Sequence, residues 1–240
     1  MVFSTYAFSG LGGRQNNEDY FLYHNGIWVV ADGLGGHDCG EVAAKTASET
    51  VVDFVKENGI SLSDRTLYEI IMKANASVVE AQKTDKKFES MRTTLVFATC
   101  DGKQLRYANV GDSRFYYFKQ GHLHTQSMDH SVSALSAKMG DIKYEDIRHD
   151  DDRNKLLKVL GNEEELKVKV PETVIPIERG DAFLLCSDGF WEHVYENEME
   201  IDLIKSASAE QWLKFMLKRV ILRTKNQDND NYTAIAVVIG

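Results

Sequence analysis

The sequence predicts an α+β fold in which mainly antiparallel sheets form layers with paired helices. Strand-like segments occur in blocks and helix-like segments occur in pairs, so the regular βαβ alternation of a parallel sheet is absent. Only two prolines interrupt the 240 residues, and no Gly/Ser-rich linker or internal repeat divides them. We therefore expect residues 1–240 to form a single domain.

Three strands and two helices make up the first part of the prediction. The strands are short apolar runs bounded by Gly and Asp, near residues 4–9, 19–23 and 27–31. The first helix, over 41–56, has apolar residues at close to helical spacing. The second helix, over 63–82, begins at Ser63, whose hydroxyl can cap the helix N-terminus.

A second block of strands and a second pair of helices follow. Turn signals such as Asp101-Gly102 separate four strand-like segments, at 93–100, 104–110, 113–118 and 122–126. Later segments predict strands near 166–170, 173–177 and 182–187, helices near 197–205 and 209–223, and a last strand over 233–239. Between these blocks, residues 129–162 are polar, with helical pieces at 132–139 and 154–160. We interpret this stretch as a surface excursion.

The charge balance excludes two broad classes of partner. The formal net charge is −9, whereas binding to nucleic acid phosphates or to an anionic membrane needs a basic surface. No apolar run approaches the roughly 18 residues of a membrane span, and no signal peptide is visible. The three cysteines show no CxxC spacing, which disfavours a disulfide framework or a zinc site. We expect a reducing, cytoplasmic setting.

Four acidic segments predict a site for a hard divalent cation. They are Asn17-Glu18-Asp19, Asp32-Gly33-Leu34-Gly35-Gly36-His37, Ser187-Asp188-Gly189 and Asp230-Asn231. Three of them follow or overlap apolar strand-like runs, and strands that converge at one sheet edge bring distant carboxylates together. Crowded carboxylates repel each other unless they are protonated or a cation lies between them. Because every proposed ligand atom is oxygen, a hard divalent cation fits best.

Asp32 is the centre of this prediction. The strand before it is apolar on both faces, so Asp32 emerges from buried structure into a Gly-rich turn whose main-chain carbonyls can serve as ligands. The alternative is an Asx turn, which Asp-Gly commonly forms at the end of a strand. The similar apolar run before Ser187-Asp188-Gly189 favours the metal site.

Five motifs together resemble those of the type 2C metal-dependent protein Ser/Thr phosphatases. They are Arg14-Gln15-Asn16-Asn17-Glu18-Asp19, the segment from Asp32 to Glu41, Gly111-Asp112-Ser113-Arg114, Ser187-Asp188-Gly189 and Asp230-Asn231-Tyr232-Thr233. They occur in the family's order from about residue 5 to residue 239, and the compact form resembles the bacterial members. The resemblance implies a four-layer α-β-β-α sandwich, with two mainly antiparallel sheets flanked by helix pairs.

The resemblance also implies a site for two Mn²⁺ or Mg²⁺ ions. The implied ligands are Asp32, which would bridge both ions, Asp188 and Asp230 on one ion, and Glu18 and the Gly33 carbonyl on the other. Two such cations about 3.5–4 Å apart activate a shared water and stabilise an in-line phosphoryl displacement. Behind the ligands, the resemblance places Asp19, His37 and Asn231: Asp19 would orient a metal-bound water, and His37 would either orient a water or structure the loop.

Further roles follow from the same motifs. Arg14 matches the arginine that grips the substrate phosphate, and its forked guanidinium fits two phosphate oxygens, so Arg14 and Asp32 are the expected catalytic residues. Asp112 matches an aspartate that joins the counterpart of Asp188 at a weaker third metal; a simple turn residue is the alternative. Leu34 stands where the animal enzymes have a histidine proposed as general acid, so the proton donor is unassigned.

The predicted activity is hydrolysis of phosphoserine and phosphothreonine in proteins by direct attack of the metal-bridging water or hydroxide. Two alternatives are a phosphoprotein-binding pseudophosphatase, which the acidic residues at the matching positions disfavour, and a phosphatase for small phosphoesters.

The segment 140–161 resembles the bacterial family's flap beside the active site, although a mobile surface loop without a role in selectivity is the alternative. We expect a cytoplasmic monomer that acts on phosphorylated proteins, including a Ser/Thr kinase, and binds neither nucleic acid nor membranes.

Overall fold

The computed structural model describes residues 1–35, 39–163 and 166–240, and its strands form two antiparallel sheets. The strands are β1 (Phe3–Gly10), β2 (Asp19–His24), β3 (Ile27–Leu34), β4 (Arg92–Thr93), β5 (Leu95–Cys100), β6 (Gln104–Val110), β7 (Arg114–Lys119), β8 (His122–Gln126), β9 (Ile175–Pro176), β10 (Ala182–Cys186) and β11 (Tyr232–Ile239). One sheet has the order β1-β11-β10-β7-β8. The other has the order β2-β3-β5-β6-β9, with β4 paired to β3.

The helices form the two outer layers. Their bounds are α1 (Gly40–Asn58), α2 (Asp64–Gln82), α3 (Val132–Met139), α4 (Asp188–Trp191), α5 (Glu196–Ile204) and α6 (Ala209–Arg223). The buried faces of α1 and α2 share a core with β3, β5 and β6, and those of α5 and α6 share a core with β7, β10 and β11. In the described ranges, no helix combines the length and apolar composition needed to span a bilayer.

A third core lies between the two sheets and holds the layers together. Its aromatic centre joins Trp28 of β3 to Phe183 of β10, with ring centroids 4.9 Å apart, and Phe183 to Phe115 of β7 at 6.0 Å. Alternate residues of β3 face this core and the helical core, which is why the strand is apolar on both faces. The α-β-β-α order predicted from the sequence is confirmed.

Local signals placed most elements within one or two residues of their observed bounds. The predicted cap at Ser63 is confirmed, because its hydroxyl accepts a hydrogen bond from the Thr66 amide at 3.1 Å. Two predictions are wrong: residues 154–160 form turns and isolated bridges instead of a helix, and 166–170 is not a strand. The short helix α4 and two 3₁₀ helices, Lys86–Phe88 and Tyr144–His149, were not predicted.

Two isolated β-bridges hold the polar segment 140–161 against β4 and against the residue before α3. Leu160 pairs with Thr93 of β4, and Leu156 pairs with Ser131 just before α3. The amide of Leu157 also donates to the carbonyl of His130 at 2.8 Å. These backbone contacts, rather than helical periodicity, decide the conformation of residues 154–160.

Candidate active site

The sheet edge where several strands begin or end brings the acidic segments together. Asp19 opens β2 and lies directly opposite Asp32 of β3, Asp188 follows β10, and Asp230 precedes β11. A cavity of about 550 Å³ opens at this edge. Eight of the ten predicted site residues line it: Arg14, Glu18, Asp32, Gly33, Asp112, Asp188, Asp230 and Asn231. Asp19 lies behind the cavity, and His37 lies outside the described residues.

Backbone contacts fix the position of Asp32. Its carbonyl accepts hydrogen bonds from the Thr94 amide at 2.8 Å and the Thr93 hydroxyl at 2.9 Å. Its own amide donates to the Thr94 hydroxyl at 3.0 Å. Because β3 continues through Asp32 to Leu34, the Asx-turn alternative is wrong. The paired threonines therefore hold the carboxylate on a rigid strand.

Glu18 lies at the site because its backbone packs closely against Gly33 and its carboxylate packs closely against Gly40. The amide of Gly33 donates to the Glu18 carbonyl at 3.1 Å. A Cβ on Gly33 would collide with the backbone of Gly40, and a Cβ on Gly40 would collide with the Glu18 carboxylate. Both positions therefore require glycine, and the sequence analysis missed Gly40.

Burial makes the carboxyl groups of this site reluctant to ionise. It raises the pKa of Asp19 to about 6 and of Asp188 to about 7, and it raises the pKa values of Asp32 and Asp112 well above 3.8. Neighbouring carboxylates add to each shift, because like charges oppose ionisation. A bound cation would remove this cost by supplying the missing positive charge.

A network of polar side chains supports the acidic residues. The Ser187 hydroxyl donates to Asp19 at 2.7 Å and accepts from the Thr233 amide at 2.9 Å. Asn231 accepts from the Glu18 amide at 2.9 Å and donates to the carbonyls of Leu11 and Asn16. These contacts join the starts of β2 and β11 to the end of β10. The serine and threonine lie in the quoted motifs, but their connections are non-local.

Arg14 lies at the cavity edge and is paired with Asp230. Its Nε and Nη2 atoms donate to the two carboxylate oxygens at 3.1 and 2.9 Å. Both side chains are about half exposed, at 51% and 46%, so the net stabilisation from this pair is small. The guanidinium fork therefore binds both oxygens of one carboxylate at the edge of the cavity.

Asp112 lies in the turn between β6 and β7 and is almost fully buried. Its carbonyl accepts a hydrogen bond from the Trp191 indole at 3.0 Å. Within the described part of the chain, its Oδ1 atom has no hydrogen-bond partner. A buried carboxylate oxygen without a partner is costly, so this atom is suited to a cation or a water molecule.

The donor set fits hard cations that retain water ligands. Among residues 1–35, 39–163 and 166–240, no group of three or more His, Cys, Asp and Glu side chains is arranged so that it could hold a metal ion by itself. Mg²⁺ usually binds through one or two carboxylates and keeps several waters. Among the described residues, the acidic side chains that line the cavity offer oxygen ligands, and Asp19 and Asp112 each have a buried oxygen without a hydrogen-bond partner. A partly hydrated site agrees with these observations better than a closed protein cage.

Comparisons with known proteins agree with the fold and with the family that the motifs resemble. The family model described as protein phosphatase 2C matches residues 11–228. The serine/threonine phosphatase Stp of Listeria welshimeri is 37% identical over 199 residues, covering 81% of this chain and 76% of that protein.

Two solved structures show how far the architecture is shared. The serine/threonine phosphatase Stp1 from Staphylococcus aureus matches with a TM-score of 0.87 and 27% identity, covering 100% of this chain and 96% of that one. The catalytic domain of the serine/threonine phosphatase PstP, solved in complex with two manganese ions, matches with a TM-score of 0.84 and 24% identity, covering 100% and 99%. At that lower identity the likeness shows the fold alone.

Proposed function

Because this chain belongs to the protein phosphatase 2C family and is a protein Ser/Thr phosphatase, we propose that it hydrolyses phosphoserine and phosphothreonine at the Asp32 cavity with two divalent metal ions. One observation carries the proposal. Eight residues selected from five separated motifs line a single cavity of about 550 Å³. Their chemistry combines oxygen ligands for cations with one guanidinium for an oxyanion.

The proposed ligands are the residues that the motifs nominate. They are Asp32 for both ions, Asp188 and Asp230 for one, and Glu18 with the Gly33 carbonyl for the other, while a weaker third ion would lie at Asp112 and Asp188. Bound cations would activate a water molecule as nucleophile and neutralise charge on the transferring phosphoryl group. The choice between Mn²⁺ and Mg²⁺ is not decided by the ligand atoms, since both accept oxygen donors.

The chain's own residues would orient the reactants. The threonine contacts fix the Asp32 backbone, and the Ser187 hydroxyl holds the Asp19 carboxylate behind it. Arg14 would bind two oxygens of the substrate phosphate with the fork that now binds Asp230. Preorganised positions reduce the reorganisation needed in the transition state.

A protein substrate is supported by the surroundings of the cavity. The space is open to solvent and larger than a phosphate group needs, and Asn154 and Leu156 of segment 140–161 form part of its wall. We propose that this segment acts as a flap that contacts residues flanking the phosphorylated side chain. We also propose a cytoplasmic monomer, with residues 1–240 forming one phosphatase domain and a Ser/Thr kinase among its substrates.

Hydrolysis assays test this proposal. A phosphothreonine peptide and para-nitrophenyl phosphate are each incubated with Mn²⁺, with Mg²⁺ and with EDTA. We expect metal-dependent release of phosphate from both compounds, with the peptide used more efficiently. Absence of metal-dependent turnover would support the pseudophosphatase alternative, whereas turnover of para-nitrophenyl phosphate alone would support a phosphatase for small phosphoesters.

Asp32→Asn tests the site itself. It preserves the shape of the side chain but removes the negative charge, so activity should be nearly abolished while the fold remains. Asp181→Asn is the control, because Asp181 is a buried aspartate that interacts with Tyr117 away from the cavity. Equal activity losses per folded molecule in both variants would contradict the proposed role of Asp32.

A further inference from the structure

Trp191 connects the two acidic residues Asp112 and Asp188. It is the last residue of α4, the single-turn helix that Asp188 begins, and only 1% of its surface is exposed. Its indole N–H donates to the main-chain carbonyl of Asp112 at 3.0 Å. One side chain therefore ties the β6–β7 turn to the helix that carries Asp188.

A buried charged group packs against the face of the indole ring and restrains it. The guanidinium carbon of Arg114 lies 3.4 Å from the centre of the Trp191 ring. Arg114 is itself held by two hydrogen bonds to the buried Asp129, at 2.9 and 2.6 Å. A guanidinium over an indole face is a favourable cation–π contact, and it is stronger when desolvated.

The flap-like segment completes the surroundings of Trp191. The Tyr144 ring also lies against Arg114, with its centre 5.4 Å from the guanidinium carbon. Arg148 donates to the Trp191 carbonyl at 2.8 Å and forms two hydrogen bonds to Glu196, at 2.8 and 2.7 Å. Trp191 is therefore contacted on its ring face by Arg114 and at its main-chain carbonyl by Arg148 of segment 140–161.

We propose that Trp191 is a positioning residue for a divalent cation at Asp112 and Asp188, because its indole N–H fixes the Asp112 backbone relative to α4. This inference rests on the proposed function, which places a weaker third ion at these two carboxylates. Both line the same cavity, and the Asp112 Oδ1 atom is buried without a partner in the described structure. Two carboxylates supplemented by water bind a cation only weakly, so affinity depends on how well their separation is maintained.

The chain offers a matched control for removing the indole N–H. Trp212 in α6 is also fully buried, and its N–H donates to the Met199 carbonyl, likewise at 3.0 Å. Trp212 packs in the helical core and is not part of the cavity wall. Trp191→Phe and Trp212→Phe therefore each remove one buried indole N–H that donates to a main-chain carbonyl. Of these two N–H groups, only that of Trp191 contacts an acidic site residue.

The experiment measures Mn²⁺ binding by isothermal titration calorimetry and by counting free Mn²⁺ with electron paramagnetic resonance. For Trp191→Phe we expect the dissociation constant of the weakest class of ions to rise at least about tenfold, as is typical when a group supporting a ligand is removed. The tighter ions should bind as in the wild type. Trp212→Phe should leave the dissociation constants of all bound Mn²⁺ ions unchanged. Asp112→Asn should abolish binding of the most weakly bound ion.

Three outcomes would overturn the inference: unchanged weak binding in Trp191→Phe, an equal loss in Trp212→Phe, or a wild-type protein that binds no third ion. Circular dichroism verifies the fold of each variant. If Trp191→Phe does not fold, benzothienylalanine at position 191 keeps the bicyclic ring and replaces the donating N–H with a sulfur atom that cannot donate. Hydrolysis of the phosphothreonine peptide is measured in parallel, so metal-dependent turnover without a weakly bound ion would reject this inference and the third ion, but would leave the proposed hydrolysis with two ions standing.

Discussion

At the scale of single residues, the main feature is the burial of carboxyl groups that face a common cavity. Asp32 and Asp112 have pKa values raised well above 3.8, because burial and neighbouring carboxylates both oppose ionisation. Such groups are costly when charged and unpaired, and they are retained where a cation balances them. The paired threonines before β5 fix the backbone of Asp32 through hydrogen bonds to its amide and carbonyl.

These pKa shifts predict how pH affects the metal-free protein. The folded pKa values of Asp19 and Asp188, about 6 and 7, exceed the ordinary value of 3.8, so the folded state holds the extra protons. Their contribution to stability is complete below about pH 4 and is lost as the pH rises through 6 and 7. In EDTA, the free energy of unfolding should therefore decline between pH 5 and pH 8, as measured by urea denaturation.

The same titration with saturating Mn²⁺ is the control for this prediction. Metal ligands must be deprotonated, so bound cations should contribute more stability as the pH rises. Histidines and surface groups contribute equally to the free energy of unfolding in both samples. The difference between the Mn²⁺ and EDTA curves therefore reports the contribution of the site. Parallel curves would contradict the assignment of these carboxylates to a metal site.

Arg14→Ala should mainly weaken substrate binding. Hydrogen bonds to a charged partner contribute about 1.5–3 kcal/mol, so KM for the phosphothreonine peptide should rise at least about tenfold at saturating Mn²⁺. Arg65→Ala is the control, since Arg65 is an exposed arginine that pairs with Glu69 on α2. An unchanged KM in Arg14→Ala would refute the phosphate role.

At the scale of elements, the return of segment 140–161 to the fold depends on polar contacts from α2. The side chain of Asn75 donates to the Asn162 carbonyl at 3.0 Å and accepts from the Gly161 amide at 2.8 Å. Gln82 donates to the carbonyls of Met91 and Gly161, both at 2.8 Å. These contacts fix the end of the segment next to Thr93, whose hydroxyl contacts the Asp32 carbonyl.

Asn75→Ala should lower the free energy of unfolding by about 1–3 kcal/mol, because it leaves backbone groups of residues 161 and 162 without their partner. Asn58→Ala is the control: Asn58 is exposed and makes one hydrogen bond to the Phe54 carbonyl within α1. That variant should change stability by no more than about 0.5 kcal/mol. Urea denaturation of the three proteins measures both values, and equal effects would contradict an anchoring role for Asn75.

At the scale of the whole molecule, two sheets must stay in register for the cavity to exist. Asp19 and Asp32 come from one sheet, whereas Asp188 and Asp230 flank strands of the other. The core between the sheets, centred on Phe183 and its contacts with Trp28 and Phe115, maintains their relative position. The site is therefore a property of the sandwich and of neither sheet alone.

Phe183→Ala should lower the free energy of unfolding by about 3–5 kcal/mol, as expected for a large side chain deleted from a packed core. The same variant should bind Mn²⁺ less tightly, because the two sheets lose part of their common core. Leu222→Ala is the control, since that leucine is 74% exposed on α6, and its effect should stay within about 0.5 kcal/mol. A loss below 1 kcal/mol for Phe183→Ala would show that the sheets are held by other contacts.

The sequence predicted the elements whose signals are local. Apolar runs between glycine and aspartate marked β3 and β10, and helical spacing marked α1 and α6. It was wrong for residues 154–160, where bridges to Ser131 and Thr93 override a helix-like composition. It also missed Gly40, because the need for glycine there comes from Glu18 and Gly33, which are distant in sequence.

By itself, the sequence determined the fold class and the family motifs, because each motif is a short run of neighbouring residues, and through that resemblance it named eight of the residues that line the cavity. Only the tertiary structure decided which groups are partners: Arg14 with Asp230, Ser187 with Asp19, and Trp191 with Asp112. Those pairs join residues from 79 to 216 positions apart. Local patterns carry no information about such distances, because chain packing alone brings these groups within hydrogen-bonding range.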